Sequence, residues 1–267
     1  MPLNPRVARA DLHFWEEPPI SGTKGSGTVF FSGCSLSCVY CQNFGISHEN
    51  SGKDLTVEQL AGIFKDLENK GAHNINLVTP SHYVLAIKSA LEIYKPKIPI
   101  VYNSSGYENI ESLGMLEGLI DIFLFDLKYL NPDRALKYSS VYNYPEVATN
   151  AIKWAYERNP KCLFDKDRIM QKGIIIRHLL MPMGTNEAIN VFEWVRENTP
   201  NVYFSIMSQY LPMGDAEKFK EINRKVTQRE YNKVLDYICY YDFENIFIQD
   251  RLSAKEDFIP DFNMRNT

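Results

Sequence analysis

Three cysteines fall within eight positions, in the run Gly33-Cys34-Ser35-Leu36-Ser37-Cys38-Val39-Tyr40-Cys41. The spacing is C-x3-C-x2-C. Three thiolates in one short loop can hold three corners of a [4Fe–4S] cube, and the fourth iron is then open to an exogenous ligand. Electron-transfer cubes use four cysteines. Structural zinc competes for the same residues, but it normally takes four N/S ligands, and His48 would have to supply the fourth. Three buried structural cysteines are the plainest alternative, although a loop holding Ser and Gly does not look like core. Cys162 and Cys239 stand alone and read as small hydrophobes.

Composition narrows the setting. The chain has 267 residues, enough for one α/β barrel domain. Its formal charge is 29 − 33 = −4, which offers no electrostatic footprint for duplex nucleic acid or an anionic membrane. With 45% hydrophobic and 23% charged residues the chain reads as globular. No run reaches the ~18 apolar residues that span a bilayer. The opening segment lacks the apolar core of a signal peptide. The expectation is a cytoplasmic protein, where clustered cysteines mean metal or redox chemistry more often than disulfides.

The elements that must position these residues alternate in type. Strands are expected at 28–33, 74–79, 98–103, 120–127, 173–181 and 202–207, with a short last one at 246–249. Between them lie helical stretches. Thr56 and Gln59 form a capping box ahead of Leu60, Ile63, Phe64 and Leu67. Thr227 and Glu230 form another, ahead of Tyr231, Val234, Leu235 and Ile238. Helices are also expected over 83–94, from Pro145 towards Arg158, and through Ile189, Phe192 and Val195. Residues 160–171 read as a loop. Such alternation implies βαβ units and a parallel sheet. Six units are countable, two short of an eight-fold barrel. The expected architecture is an α/β partial (β/α)6 TIM-type barrel over 28–250. A 27-residue N-terminal extension (1–27) and a C-terminal tail (251–267) read as irregular decoration.

Polar residues gather at the strand ends. Cys34 follows the first strand, Thr79 ends the second and Asn103 the third. Asp126 and Lys128 end the fourth, Arg177 and His178 lie in the fifth, and Gln209 follows the sixth. In a parallel barrel these ends share one face, and that face carries the chemistry. If Arg177 points inward, alternation turns His178 outward.

At CSLSCVYC the chain resembles the radical S-adenosylmethionine (SAM) superfamily, whose signature is C-x3-C-x-aromatic-C, with Tyr40 in the aromatic place. More closely it resembles the pyruvate formate-lyase activating enzymes and their uncharacterised homologues. The supporting stretches are HFWEEPPISG (13–22), FFSGCSLSCVYCQN (30–43), NLVTPSHY (76–83), FLFDLKYL (123–130), IRHLLMP (176–182) and MSQYLP (207–212). The resemblance implies a radical SAM fold. It also implies a [4Fe–4S] cluster on Cys34, Cys38 and Cys41, with S-adenosyl-L-methionine on the open iron. Tyr40 is then expected near the adenine, and Lys128 of Asp126-Leu127-Lys128 near the methionine carboxylate. Asn103 and Ser104 stand where the activating enzymes have an aspartate-threonine pair beside the methionyl group, and Arg177 where they have a strand-five arginine.

One departure is plain. The activating enzymes carry Gly-Gly-Glu after strand two to receive the methionyl amino group, whereas this chain reads Thr79-Pro80-Ser81. The implied activity is reductive cleavage of SAM to a 5′-deoxyadenosyl radical, followed by hydrogen abstraction from a glycine of a glycyl-radical enzyme. A flavodoxin or ferredoxin is the implied electron donor. A radical enzyme acting on a small molecule or another peptide, and a non-catalytic zinc- or cluster-binding protein, are the alternatives.

Overall fold

The computed structural model describes residues 4–49, 51–241, 243 and 245–249. In chain order the elements are β1 (Arg6–His13), α1 (Pro18–Ser21), β2 (Ser26–Phe31), α2 (Phe44–Ser47), β3 (Lys53–Asp54), α3 (Val57–Asn69) and β4 (Ile75–Val78). Next come α4 (Val84–Ile93), β5 (Ile100–Ser104), α5 (Ile110–Gly114), β6 (Ile122–Asp126), α6 (Pro132–Ser139) and α7 (Tyr144–Arg158). The last are β7 (Leu163–Phe164), β8 (Met170–Leu179), α8 (Thr185–Asn198), β9 (Tyr203–Met207), α9 (Gln228–Tyr240) and β10 (Ile246–Ile248).

The sheet runs in the order β10-β9-β8-β6-β5-β4-β2-β1-β3. From β2 to β10 every neighbouring pair on this path is parallel. The strands are ordered along the chain as successive βα units require, and among the described residues the two edges, β3 and β10, do not pair with each other. This is the expected α/β fold, a parallel barrel left open.

Alternation along the strands divides their side chains between two faces. Leu77, Tyr102, Phe123, Phe125, Ile174 and Phe204 pack under the helices in the main core. The other face is apolar at its lower end, where Val101, Ile122, Leu124 and Ile175 form a second cluster. Higher up the same face turns polar, with Asn76, Asn103, Asp126, Arg177 and Ser205. The helices cover the outer face because their apolar stripes match it. Thr56 starts α3, accepting from Gln59 N at 3.3 Å while the Gln59 side chain accepts from Thr56 N at 2.9 Å. The stripe Leu60, Phe64 and Leu67 is then buried. Thr227 and Glu230 start α9 in the same way.

Two expectations are corrected. The described part of the N-terminal segment, 4–27, is not irregular decoration. Strand β1 pairs antiparallel with β2 along most of its length, and α1 follows. Ile20 of α1, fully buried, joins Val101, Ile122, Leu124 and Ile175 in the inner cluster, so this segment fills the lower interior of the barrel. Nor is 160–171 wholly a loop, because β7 pairs antiparallel with β8, which begins at Met170. Gly173 permits that approach: a Cβ on it would lie 2.7 Å from Cys162 Sγ. The expected C-terminal tail, 251–267, lies outside the described residues. Among the described residues no helix is long and apolar enough to cross a membrane.

Candidate active site

The loop after β2 carries Cys34, Cys38 and Cys41. Gly33 opens it with a φ of 88°, a left-handed conformation that suits glycine. Backbone bonds then pin the loop to the end of α6, with Ser37 N donating to Ser139 O (3.3 Å) and Val39 N to Tyr138 O (2.9 Å). All three thiols face one cavity of about 240 Å³. A larger groove of about 1020 Å³ lies beside it and shares Cys34, but Asp126, Lys128 and Arg177 line the smaller cavity alone, which makes that cavity the candidate site.

The same cavity is lined by Tyr40, Asn103, Ser104, Asp126, Lys128 and Arg177. Asp126 Oδ2 is 2.7 Å from Lys128 Nζ, and its Oδ1 accepts from Arg177 Nε at 2.9 Å. Arg177 Nη2 donates to Asn103 Oδ1 at 2.7 Å. Burial disfavours the Asp126 carboxylate, but Arg177 and Lys128 outweigh it and hold the pKa below the usual range. Burial also disfavours the Lys128 ammonium, yet Asp126 beside it raises its pKa overall. Arg177 follows the same pattern, with Asp126, Glu17 and Glu16 opposing the burial effect. All three groups are therefore charged at neutral pH. The Tyr144 hydroxyl accepts from Lys128 N at 2.9 Å and reaches Ser105 O and Asp126 O at 2.7 and 2.8 Å, which fixes the end of β6.

Sequence reasoning missed the residues that complete this set. Glu16 enters the barrel from the segment between β1 and α1. Its Oε2 accepts from Arg177 Nη1 at 2.9 Å, and its Oε1 from Asn103 and Asn76 at 3.1 and 3.2 Å. Glu17 lies deeper, 3.8 Å from Arg177 Nη1, and neither of its oxygens has a hydrogen-bond partner of good geometry. Burial pushes its carboxyl up against the pull of Arg177. The available signal was two adjacent acids ahead of Pro18-Pro19, in a stretch quoted only for its resemblance.

The remaining residues are placed as follows. His178 points to the outer face, 2% exposed, with Nδ1 2.8 Å from Leu127 O. Gln209 lines the cavity. Tyr210 is buried behind it, packed on Tyr40, and donates to Ile222 O at 2.9 Å. Neither Cys162 nor Cys239 lines the cavity. Thr79 has a φ of 57° and donates its N–H to Asn103 O at 2.8 Å, while Ser81 Oγ donates to Glu108 at 2.6 Å.

The donor set can be tested against a single metal ion and against a cube. Among the described residues no group of three or more His, Cys, Asp or Glu converges tightly enough to hold one ion. His48 is stacked on Phe44, and its Nδ1 lies 2.8 Å from Ser47 Oγ, which makes it a neighbour of that hydroxyl and not of a thiol. A cube spreads its irons over separate corners, so its thiolates need a shared wall and not a shared point. The charges also fit. Burial pushes the Cys34 thiol up to about 12, with Cys38 adding to the effect, and burial raises Cys38 too. Thiolates here need a cationic centre beside them, and a coordinating thiol is deprotonated outright.

A family model of the radical SAM superfamily matches residues 28–195, from within β2 to within α8. The chain belongs to the radical SAM superfamily. Members of this superfamily use a [4Fe–4S] cluster and S-adenosyl-L-methionine, and these are the cofactors of this radical SAM protein. It is 30% identical over 246 residues to the uncharacterized protein MJ0674 of Methanocaldococcus jannaschii, covering 88% of this chain and 68% of that protein. It is 26% identical over 212 residues to the pyruvate formate-lyase-activating enzyme of Listeria monocytogenes, covering 73% and 78% of the two chains. Among solved structures it resembles SuiB of Streptococcus suis bound to S-adenosylmethionine, with a TM-score of 0.59 and 16% identity over 84% of this chain. This radical SAM chain spans 50% of the SuiB chain.

Proposed function

We propose that this protein is an activase-like radical SAM enzyme that abstracts a hydrogen atom from a glycine Cα of a partner protein. The single observation that carries the site is the shared cavity, in which three loop thiols face a buried, charged residue set at the carboxyl ends of parallel strands. The activase role draws support from the likeness to pyruvate formate-lyase-activating enzyme.

When bound, the cluster and SAM supply a 5′-deoxyadenosyl radical after one-electron reduction. Cys34, Cys38 and Cys41 hold the cluster. Lys128, kept charged by Asp126, receives the methionine carboxylate. Asn103 and Ser104 line the cavity and would receive the methionyl group, and Tyr40 would close it beside the adenine. Arg177 orients Asp126 and Asn103 together. Thr79-Pro80-Ser81 supplies no carboxylate, whereas Glu16 brings one to the same wall from the N-terminal segment. The cavity walls would shield the reacting carbon on the barrel side and leave the mouth to a docked substrate. A cytoplasmic setting and a flavodoxin or ferredoxin donor complete the reading.

The test is electron paramagnetic resonance on the reduced protein mixed with candidate glycyl-radical enzymes. A persistent glycine-centred doublet supports the activase role. The replaced Gly-Gly-Glu favours a second reading, action on a small molecule or other peptide. Consumption of such a compound with matching 5′-deoxyadenosine release, and no doublet from any candidate, would replace the first reading with the second.

A further inference from the structure

The hydrogen-bond partners of the three thiols differ in kind. Cys34 Sγ accepts one backbone N–H, from Leu36 at 3.4 Å. Cys41 Sγ lies 3.2 Å from Ser47 Oγ, whose own proton has competing acceptors in His48 Nδ1 (2.8 Å) and Phe44 O (3.4 Å). Cys38 Sγ lies 3.0 Å from Ser139 Oγ. Ser139 Oγ is 3.0 Å from the Tyr129 hydroxyl, which is 2.7 Å from the Tyr40 hydroxyl. Ser139 and Tyr129 are fully buried and Tyr40 is 5% exposed, so water does not compete for these groups.

The path is built into the backbone. Ser139 is the last residue of α6, and its carbonyl accepts from Ser37 N. The hydroxyl is therefore held against Cys38 by the same contact that fixes the cysteine loop. A ligating sulfur carries no proton and only accepts. Each hydroxyl has a single proton to give. Once the sulfur takes the Ser139 proton, Ser139 Oγ must accept from Tyr129, and Tyr129 from Tyr40. The sulfur thus sets the direction of the whole chain, and donors aligned in this way polarise one another.

Resting on the cysteine ligation proposed above, we propose that Tyr40, Tyr129 and Ser139 form a directed hydrogen-bond chain that raises the reduction potential of the iron–sulfur cluster through Cys38. Hydrogen bonds to cluster sulfurs set the potential. A donated bond withdraws negative charge from the sulfur, which favours the more negative, reduced form. The chain eases uptake of one electron from a low-potential flavin or iron–sulfur protein. Ser139 and Tyr129 are positioning residues here and touch no substrate. Tyr40 contributes its hydroxyl to the chain in addition to closing the cavity.

The experiment is an anaerobic redox titration of the reconstituted full chain, followed by electron paramagnetic resonance. The variants are Ser139→Ala, Tyr129→Phe, Tyr40→Phe and the double variant Ser139→Ala/Tyr129→Phe. Each single change is expected to move the midpoint potential to more negative values, most for Ser139→Ala and least for Tyr40→Phe. The double variant is expected to match Ser139→Ala, because Tyr129 has no path to the sulfur once the Ser139 hydroxyl is gone. The two Tyr→Phe changes remove one oxygen and keep the ring, so they read the chain even if Ser139→Ala folds poorly. Unshifted potentials, or additive shifts in the double variant, overturn the proposal while leaving the ligation intact. A wild-type chain that assembles no cluster through Cys38, shown by full iron content in Cys38→Ala, overturns the ligation and the chain with it.

Discussion

Lys128 and Arg177 reach into the cavity as a pair of cations that share the Asp126 carboxylate, with Glu16 also paired to Arg177. Lys128→Ala is expected to weaken SAM binding by roughly 10- to 150-fold, the loss of one charge-assisted bond of about 1.5–3 kcal/mol. Anaerobic isothermal titration checks this, and an unchanged affinity would make Lys128 purely structural. Cys34→Ala, Cys38→Ala and Cys41→Ala should each abolish the cluster, since three ligands leave no spare. Cys162→Ala and Cys239→Ala should retain it, and iron content with absorption near 400 nm separates the two groups. Asp126 also has a pH signature. Its carboxyl titrates below the usual range in the folded protein, so its contribution to stability is present above about pH 4, the unfolded value, and is lost as pH falls. Asp126→Asn should flatten the acid limb of the stability curve, measured by urea unfolding between about pH 2 and 5. An acid limb of unaltered slope would show that Asp126 carries none of it.

Among the elements, α1 has the largest consequence for its length. Four residues long, it buries Ile20 completely inside the barrel. Ile20→Ala is expected to cost about 2–5 kcal/mol, as for other large-to-small core changes, and denaturant unfolding measures it. A cost below ~1 kcal/mol would mean that the interior collapses around the gap. This element was also the least legible in the sequence. Long amphipathic helices announce themselves by capping boxes and a 3.6-residue stripe, as at Thr56–Leu67 and Thr227–Ile238. Buried parallel strands announce themselves as short apolar runs, and their ends place Asn103, Asp126 and Arg177 on one face by alternation alone. A four-residue helix has no period to read. Strand β1 lies next to the edge of the sheet with one of its eight residues buried, so no hydrophobic pattern marks it. Glu16 and Glu17 acquire meaning only from Arg177 and Asn103, which lie far along the chain. The cysteine motif needed no such help, because its spacing is local.

For the whole molecule, the barrel edges β3 and β10 do not pair among the described residues, and the proposed activase role would use that opening to admit a partner segment. A docked partner segment would fill the mouth of the cavity and exclude water from it. Saturating partner should therefore raise the fraction of SAM cleavage that ends in substrate hydrogen abstraction, read as label transferred from a deuterated glycine into 5′-deoxyadenosine. A fraction that does not change with partner concentration would argue that the cavity is already sealed by this chain alone.

The bond from Arg177 to Glu16 spans 161 positions of sequence. On a ribosome adding about 5–20 residues per second, that separation corresponds to roughly 8–30 s. For that interval both acids of the N-terminal segment have been synthesised while their cation has not. The barrel interior cannot close in the order in which its strands are made. The segment carrying Glu16 has to wait until β8 arrives. Assembly of the site is thus a late event in biogenesis, since the N-terminal acids meet their cation only after β8 has been made.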